Sequence, residues 1–171
     1  KALASFAPQP APYVPNGLRI VAPVGPGRTP NLQAEAAFQA GWFEVQDAGS
    51  QIAAALAGAG PRQQILDLCA GGGGKTLAMA AAMQNTGQIY AYDGDRLRLK
   101  PIFERLKRAG ARSVQVLQAR DKAALSALGP RFDVVLVDAP CTGFGTLRRN
   151  PDLKWRHAES AVAELARKHD L

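Results

Sequence analysis

A chain of 171 residues with 47% hydrophobic and 20% charged residues has room for one ordinary core domain and some tail, and its composition reads as soluble and globular rather than disordered. No apolar run approaches the ~20 residues of a membrane-spanning helix. Two cysteines, Cys69 and Cys141, are too few for a disulfide framework and point to a reducing, cytoplasmic setting. The net charge of +7 favours an anionic partner, nucleic acid first, with no membrane and no metal expected.

The chain starts at Lys1 without a signal-peptide pattern, so a piece of a longer protein is expected. Residues 1 to about 31 are rich in Pro and Gly ("APQPAPYVPNG", "APVGPGRTP"), and only "LRIV" reads as a strand. "NLQAEAAFQAGWFEVQDAGSQIAAALAGAG" holds a short helix, a turn and a helix from about Asp47 to Ala57, with Asp47 or Ser50 as its cap.

Strands and helices then alternate. "QILDLC" (64 to 69) is a strand running into four glycines, and "KTLAMAAAM" (75 to 83) a helix stopped by "NTG". "QIYAYD" (88 to 93) is the second strand of this series. A helix from Asp95 to Ala109 ends at Gly110, with Pro101 kinking it or marking a late start, because proline lacks the N–H an interior turn needs. "SVQVLQ" is the third strand and "KAALSAL" a short helix. "FDVVLVDAP" (132 to 140) is the fourth strand, apolar throughout as if covered on both faces. His157 to Lys168 reads as helix.

This alternation predicts an α/β fold with a doubly wound, mainly parallel sheet. Ligands of such sheets sit at the carboxyl ends of the strands, so Cys69, Asp93 and Asp138 come forward. The usual strand order makes the first and fourth strands neighbours and brings Cys69, Lys75, Asp138 and Cys141 toward one another.

Gly74-Lys75-Thr76 ends like a nucleotide-triphosphate P-loop, but G-x-x-x-x-G-K-[ST] needs its first glycine at Cys69, and the reading fails there. The dinucleotide fingerprint is met only loosely. What fits is Asp67 within the strand, a turn over Gly71, Gly72, Gly73 and Gly74, and Asp93 ending the next strand 19 residues later. Such a carboxylate suits ribose hydroxyls, and the glycines let backbone approach the ligand, as an adenosine-type cofactor without a triphosphate requires.

"VDAPCTGFGTLRRNPDLKW" (137 to 155) sets a carboxylate and a thiol in one tight turn. A thiolate adds to C6 of a pyrimidine and makes C5 nucleophilic toward a methyl donor, while a carboxylate steadies the base edge. Seven cations lie between Arg96 and Arg112: Arg96, Arg98, Lys100, Arg105, Lys107, Arg108 and Arg112. They read as the solvated face of a helix. Arg148, Arg149, Lys154 and Arg156 flank the chemical motif and read as phosphate contacts.

Taken together, "QDAGSQ", "ILDLCAGGGGKT", "YAYDGD" and "DVVLVDAPCTGFGTLRRNPDLKW" resemble the Nop/Sun-type RNA (cytosine-5) methyltransferases, bacterial ribosomal RNA enzymes above all, over roughly Gln39 to Trp155. The resemblance implies a Rossmann-like S-adenosylmethionine-dependent methyltransferase fold whose later strands this chain lacks. Residues 1–38 would be a linker or the end of an N-terminal RNA-binding region, and 39–171 a partial catalytic domain. The backbone of Cys69, Ala70, Gly71, Gly72, Gly73, Gly74 and Lys75 would enclose the amino-acid end of S-adenosylmethionine, and Asp93 would take the ribose. Asp138 would lie between cofactor and base, with Lys75 near the reaction centre. RNA, ribosomal RNA first, would meet Arg148, Arg149 and Lys154. Cys141 would resolve the covalent product, the attacking cysteine belonging to a later Thr-Cys motif beyond Leu171.

The chain departs from the family where Ala-Pro-Gly-Gly-Lys becomes four glycines and Lys75. It departs again where the adenine-side acid falls on Arg120 or Asp121. Two alternatives stay open: Cys141 as the nucleophile, as in DNA cytosine-5 methyltransferases, and a non-catalytic module that binds RNA and cofactor.

Overall fold

A computed structural model of the chain describes residues 2–21, 30–148, 150–156 and 160–169. The chain divides into two compact units, Lys1–Leu136 and Val137–Leu171. In the first, short strands β1 (Gln9–Pro10) and β2 (Leu18–Arg19) pair antiparallel. Helix α1 (Ala36–Gln39) buries Ala37 and Phe38. Helix α2 (Ala48–Leu56) is capped by the Asp47 carboxylate, which accepts from the Gly49 amide at 3.0 Å. Asp47, not Ser50, is therefore the cap; the Ser50 hydroxyl accepts instead from the Gln46 side-chain amide.

The alternating series follows as β3 (Gln64–Asp67), α3 (Gly74–Ala82), β4 (Gln88–Ala91), α4 (Arg96–Leu99), α5 (Ile102–Ala109), β5 (Val114–Val116), α6 (Lys122–Ala127) and β6 (Val134–Leu136). The anticipated helix over 95–109 is broken into α4 and α5 at Lys100–Pro101, where proline has no amide to give the preceding turn. Asp95 caps α4 through the amides of Leu97 and Arg98.

All four strands run parallel in the order β5-β4-β3-β6. The first and fourth strands of the series are neighbours, as expected, and their carboxyl ends share one sheet edge. One face is packed: Ile65, Ile89, Val114, Val134 and Leu136 meet Met79 and Ala80 of α3 and Met83 just after it. Beside them Ala91 packs with Leu77, Leu99, Ile102 and Leu106. Ile65 and Ile89 are wholly buried, each contributing about 1.5–3 kcal/mol.

The other face differs from the sequence reading. Leu66 is buried there, but its neighbour on β6, Val135, is 52% exposed. The apolar run of β6 reports hydrophobicity, not coverage. The strand is the outermost of the order and has a neighbour on one side only among the described residues. It is also shorter than 132–140. The Asp133 carboxylate leaves the strand pattern and accepts from the Gln64 amide at 2.8 Å.

The described residues of the second unit hold a 3-10 turn (Phe144–Thr146), helix α7 (Leu153–Arg156) and helix α8 (Ser160–His169). The Gly143 carbonyl accepts from both the amide and the hydroxyl of Thr146 at 2.8 Å. The Asn150 amide donates to the Thr146 carbonyl at 2.9 Å, folding the loop back on itself. The first three residues of the expected last helix, 157–159, lie outside the described residues, and its described part is α8.

Candidate functional site

Strands β3 and β4 hand their last hydrogen bonds directly to the glycine run. The Tyr92 amide donates to the Asp67 carbonyl and the Ala70 amide to the Tyr92 carbonyl, both at 2.9 Å. The chain then turns, with the Gly73 amide donating to the Ala70 carbonyl at 2.9 Å, and enters α3. Gly73 has φ +80°, and a Cβ there would fall 2.4 Å from Ile102 Cγ1. Glycine is needed at this position for both backbone and space.

Two carboxylates at the strand ends hold this turn. Asp93, 5% exposed, accepts from the Gly71 amide at 2.9 Å through one oxygen and from the Asp95 amide at 2.8 Å through the other. Asp67 accepts from the Thr76 hydroxyl at 2.7 Å, with both side chains buried. A P-loop threonine turns its hydroxyl to a nucleotide-bound magnesium ion. The Thr76 hydroxyl points into the protein at Asp67, so the structure removes the second feature of the P-loop reading after Cys69 removed the first.

A third contact comes from α5. Arg105 donates through Nη1 to the Gly72 carbonyl at 2.8 Å and through Nη2 to Glu44 Oε2 at 3.1 Å. Arg108 also pairs with Glu44 and lies over the Phe38 ring, 4.0 Å from its centroid. The close approach is permitted by Gly41, where a Cβ would sit 1.9 Å from the Arg108 carbonyl oxygen. The basic run of 96–112 therefore splits. Arg96, Arg98, Lys100, Lys107 and Arg112 form the expected solvated face, while Arg105 and Arg108 turn inward.

Of the residues singled out from sequence, the first unit brings together Cys69 to Lys75 and Asp93 around one turn. Ala70 and Gly71 are buried, and Cys69, Gly72, Gly74 and Lys75 are half-buried. Asp138 and Cys141 belong to the second unit and are exposed, as are Arg148 and Lys154. Lys154 lies 5.0 Å from the ring centroid of Trp155, itself 80% exposed. Arg149 lies outside the described residues. Among the described residues, no three His, Cys, Asp or Glu are grouped to hold a metal ion, and no helix is long and apolar enough to cross a membrane. Glu44, Arg105 and the Thr76–Asp67 bond escaped the sequence reading. Charge on a helix face carries no record of its partner, and Glu44 is 61 residues from Arg105; Asp67 and Thr76 are only nine residues apart, but the sequence does not show that the turn between them folds one onto the other.

A family model for the 16S rRNA methyltransferase RsmB/F matches residues 54–170, with the glycine turn, Asp93 and the Asp-Ala-Pro-Cys turn inside the match. The chain belongs to this family. The ribosomal RNA small subunit methyltransferase B of Citrobacter koseri is 36% identical over 154 residues, which cover 90% of this chain and 34% of that protein. Its counterpart in Serratia proteamaculans is 36% identical over 164 residues, 95% of this chain and 36% of that one. The chain spans about a third of the length of these curated relatives. Among solved structures, PH0851 aligns with a TM-score of 0.83 at 34% identity, covering 97% of this chain and 37% of that one. NSun6 from Pyrococcus horikoshii, solved with SFG, aligns with a TM-score of 0.61 at 31% identity, covering 74% and 37%. The parallel sheet is the Rossmann-like methyltransferase fold of this family.

Proposed function

We propose that these residues form the cofactor-holding part, with the Pro-Cys turn, of an S-adenosylmethionine-dependent enzyme that methylates C5 of cytosine in RNA, ribosomal RNA foremost, in the cytoplasm. The observation that carries the reading is the turn from Cys69 to Lys75, bound to the Asp93 carboxylate, with the Thr76 hydroxyl committed to Asp67. The group fits what is present. A carboxylate offers about four lone-pair positions, and Asp93 gives one per oxygen to backbone amides, leaving acceptors for two ribose hydroxyls. Helix α3 starts at Gly74, directly after the turn, and the amide-bearing start of a helix suits the carboxylate end of an amino acid. The relatives are named ribosomal RNA small subunit methyltransferase B, which supports this reading, as does SFG, an S-adenosylmethionine analogue, in NSun6.

Bound S-adenosylmethionine would supply an electrophilic methyl group and leave as S-adenosylhomocysteine. A cysteine thiolate adds to C6 of the target cytosine, and C5 gains the electron density to take the methyl group. Loss of the C5 proton to a base and departure of the thiolate restore the 5,6 double bond. Asp138 holds the base edge, Lys75 stands near the reacting ring, and Cys141 assists release of the adduct. The attacking thiol belongs to a later Thr-Cys motif outside these 171 residues. Arg148, Arg149 and Lys154 take RNA phosphates. The exposed Trp155 beside Lys154 offers a stacking plane next to a charge, a combination suited to single-stranded RNA.

Calorimetry with S-adenosylhomocysteine and with ATP tests the cofactor. Binding of the first, lost in Asp93→Ala, is expected; tight ATP binding with none for S-adenosylhomocysteine refutes the reading. Trapping of a 5-fluorocytosine RNA on the longest natural chain separates the two cysteine roles. An adduct surviving in Cys141→Ser is expected, and its disappearance makes Cys141 the nucleophile.

A further inference from the structure

Arg105 grips one particular peptide of the glycine turn. The Gly72 carbonyl accepts from Arg105 Nη1 at 2.8 Å, and the other end of the same peptide, the Gly73 amide, donates to the Ala70 carbonyl at 2.9 Å. The peptide plane between Gly72 and Gly73 is thus pinned at both ends. Arg105 is in turn held by Glu44, which takes Nη2 at 3.1 Å and Nε at 3.3 Å on a single carboxylate oxygen. Both side chains are about four-fifths buried, at 22% and 20% exposed. The guanidinium is also the nearest neighbour of the open space above Gly72, 3.5 Å from where a Cβ would stand, and approaches the Gly74 position to 3.6 Å. A planar fork with fixed donors suits this double task, which a lysine's single ammonium does not reproduce.

We infer that Glu44 and Arg105 form a brace that sets the shape of the cofactor turn, with Arg105 a positioning residue that acts through the Gly72 carbonyl. The inference rests on the cofactor reading above and adds to it the side chains that hold the turn from outside. With the brace in place, the Gly72–Gly73 peptide keeps one orientation and the first-turn amides of α3 face the ligand without rearrangement. Without it, the three consecutive glycines from Gly72 lose a fixed carbonyl, and their backbone freedom has to be removed when the ligand binds. Arg108 shares Glu44 but also lies over Phe38, and so ties α5 to α1 and to the segment after it without touching the turn.

The test is S-adenosylhomocysteine calorimetry on the longest natural chain carrying these residues, alongside thermal melting without ligand. Arg105→Met is expected to raise Kd about tenfold or more, the scale of one lost hydrogen bond to a charged group. Arg105→Lys should fall between Arg105→Met and wild type, and Glu44→Gln should weaken binding in the same direction. Arg108→Met should lower the melting temperature while Kd stays within about twofold, since Arg108 supports the fold but not the turn. In methyl transfer, Arg105→Lys should raise KM for S-adenosylmethionine with kcat nearly unchanged. If Arg105→Met and Glu44→Gln lower the melting temperature but bind with wild-type affinity, the two residues serve stability alone and the brace is overturned. If the wild-type protein itself gives no heat with S-adenosylhomocysteine, the cofactor reading fails, and this role with it.

Discussion

Replacing Gly73 by alanine tests the geometry of the turn most directly. At φ +80° an L-residue pays the left-handed penalty, about 1–2 kcal/mol. The new Cβ would also stand 2.4 Å from Ile102 Cγ1 and 3.0 Å from Cδ1, where ordinary contact begins near 3.4 Å. Ile102 is wholly buried, so overpacking adds about 1–3 kcal/mol. The sum, roughly 2–5 kcal/mol, is a large share of the ~5–15 kcal/mol that holds a domain together. Gly72→Ala is the matched control. Its Cβ would meet nothing closer than Arg105 Nη1 at 3.5 Å, and an effect within about 0.5 kcal/mol is expected. Urea unfolding followed by circular dichroism measures both, provided the slopes agree. Gly73→Ala combined with Ile102→Ala should be less destabilised than the two single changes added together, because removing Cγ1 removes the clash. Equal stabilities for Gly73→Ala and Gly72→Ala would refute this account of the turn.

Two further outcomes follow from other parts of the molecule. Thr76→Val keeps shape but removes the donor to Asp67, and should lower stability by about 1.5–3 kcal/mol in urea, whereas Thr76→Ser, which keeps the hydroxyl, should lose less than half as much; a Thr76→Val protein as stable as wild type would show that the bond contributes nothing. Alanine at Arg148 or Lys154 should weaken RNA binding across sequences alike and flatten its dependence on log salt by about one unit each; an unchanged slope in filter binding would remove these residues from the RNA contact.

The parts of the fold that could be read from sequence are those that local chemistry determines. The order of β3, α3, β4, α5, β5 and β6 follows from apolar runs separated by glycine and proline. The Asp47 cap, the break at Pro101 and the end of α5 at Gly110 are each set by the residue that stands there. The neighbouring positions of β3 and β6 came from a topological regularity, and the register Ile65 with Val134 bears it out. What escaped was set by distance. Glu44 lies 61 residues from Arg105 and 64 from Arg108, and nothing in "GWFEVQD" distinguishes it from a surface acid. The same blindness merged Arg105 and Arg108 with their solvated neighbours, because helix periodicity places a side chain on a face without saying what that face meets. Val135 is the reverse case: an apolar residue in an apolar strand reads as covered, yet it is 52% exposed on the outermost strand of the order.

These long-range contacts change what the glycine run means physically. Four glycines in sequence suggest a loose loop that a ligand must order, at an entropic cost of roughly 1–2 kcal/mol for each residue fixed. In the structure the Gly71 amide is held by Asp93, the Gly72 carbonyl by Arg105 and the Gly73 amide by the Ala70 carbonyl. Three successive residues are thus fixed by protein groups before any ligand arrives. The glycines are then used for close approach and for one left-handed turn, not for flexibility. Rigidity supplied from outside the run also accounts for how a chain with glycine at Gly72, where relatives of the resembled family commonly carry proline, keeps the turn in shape. Proline restricts the backbone from within, and here Arg105 restricts it from the side.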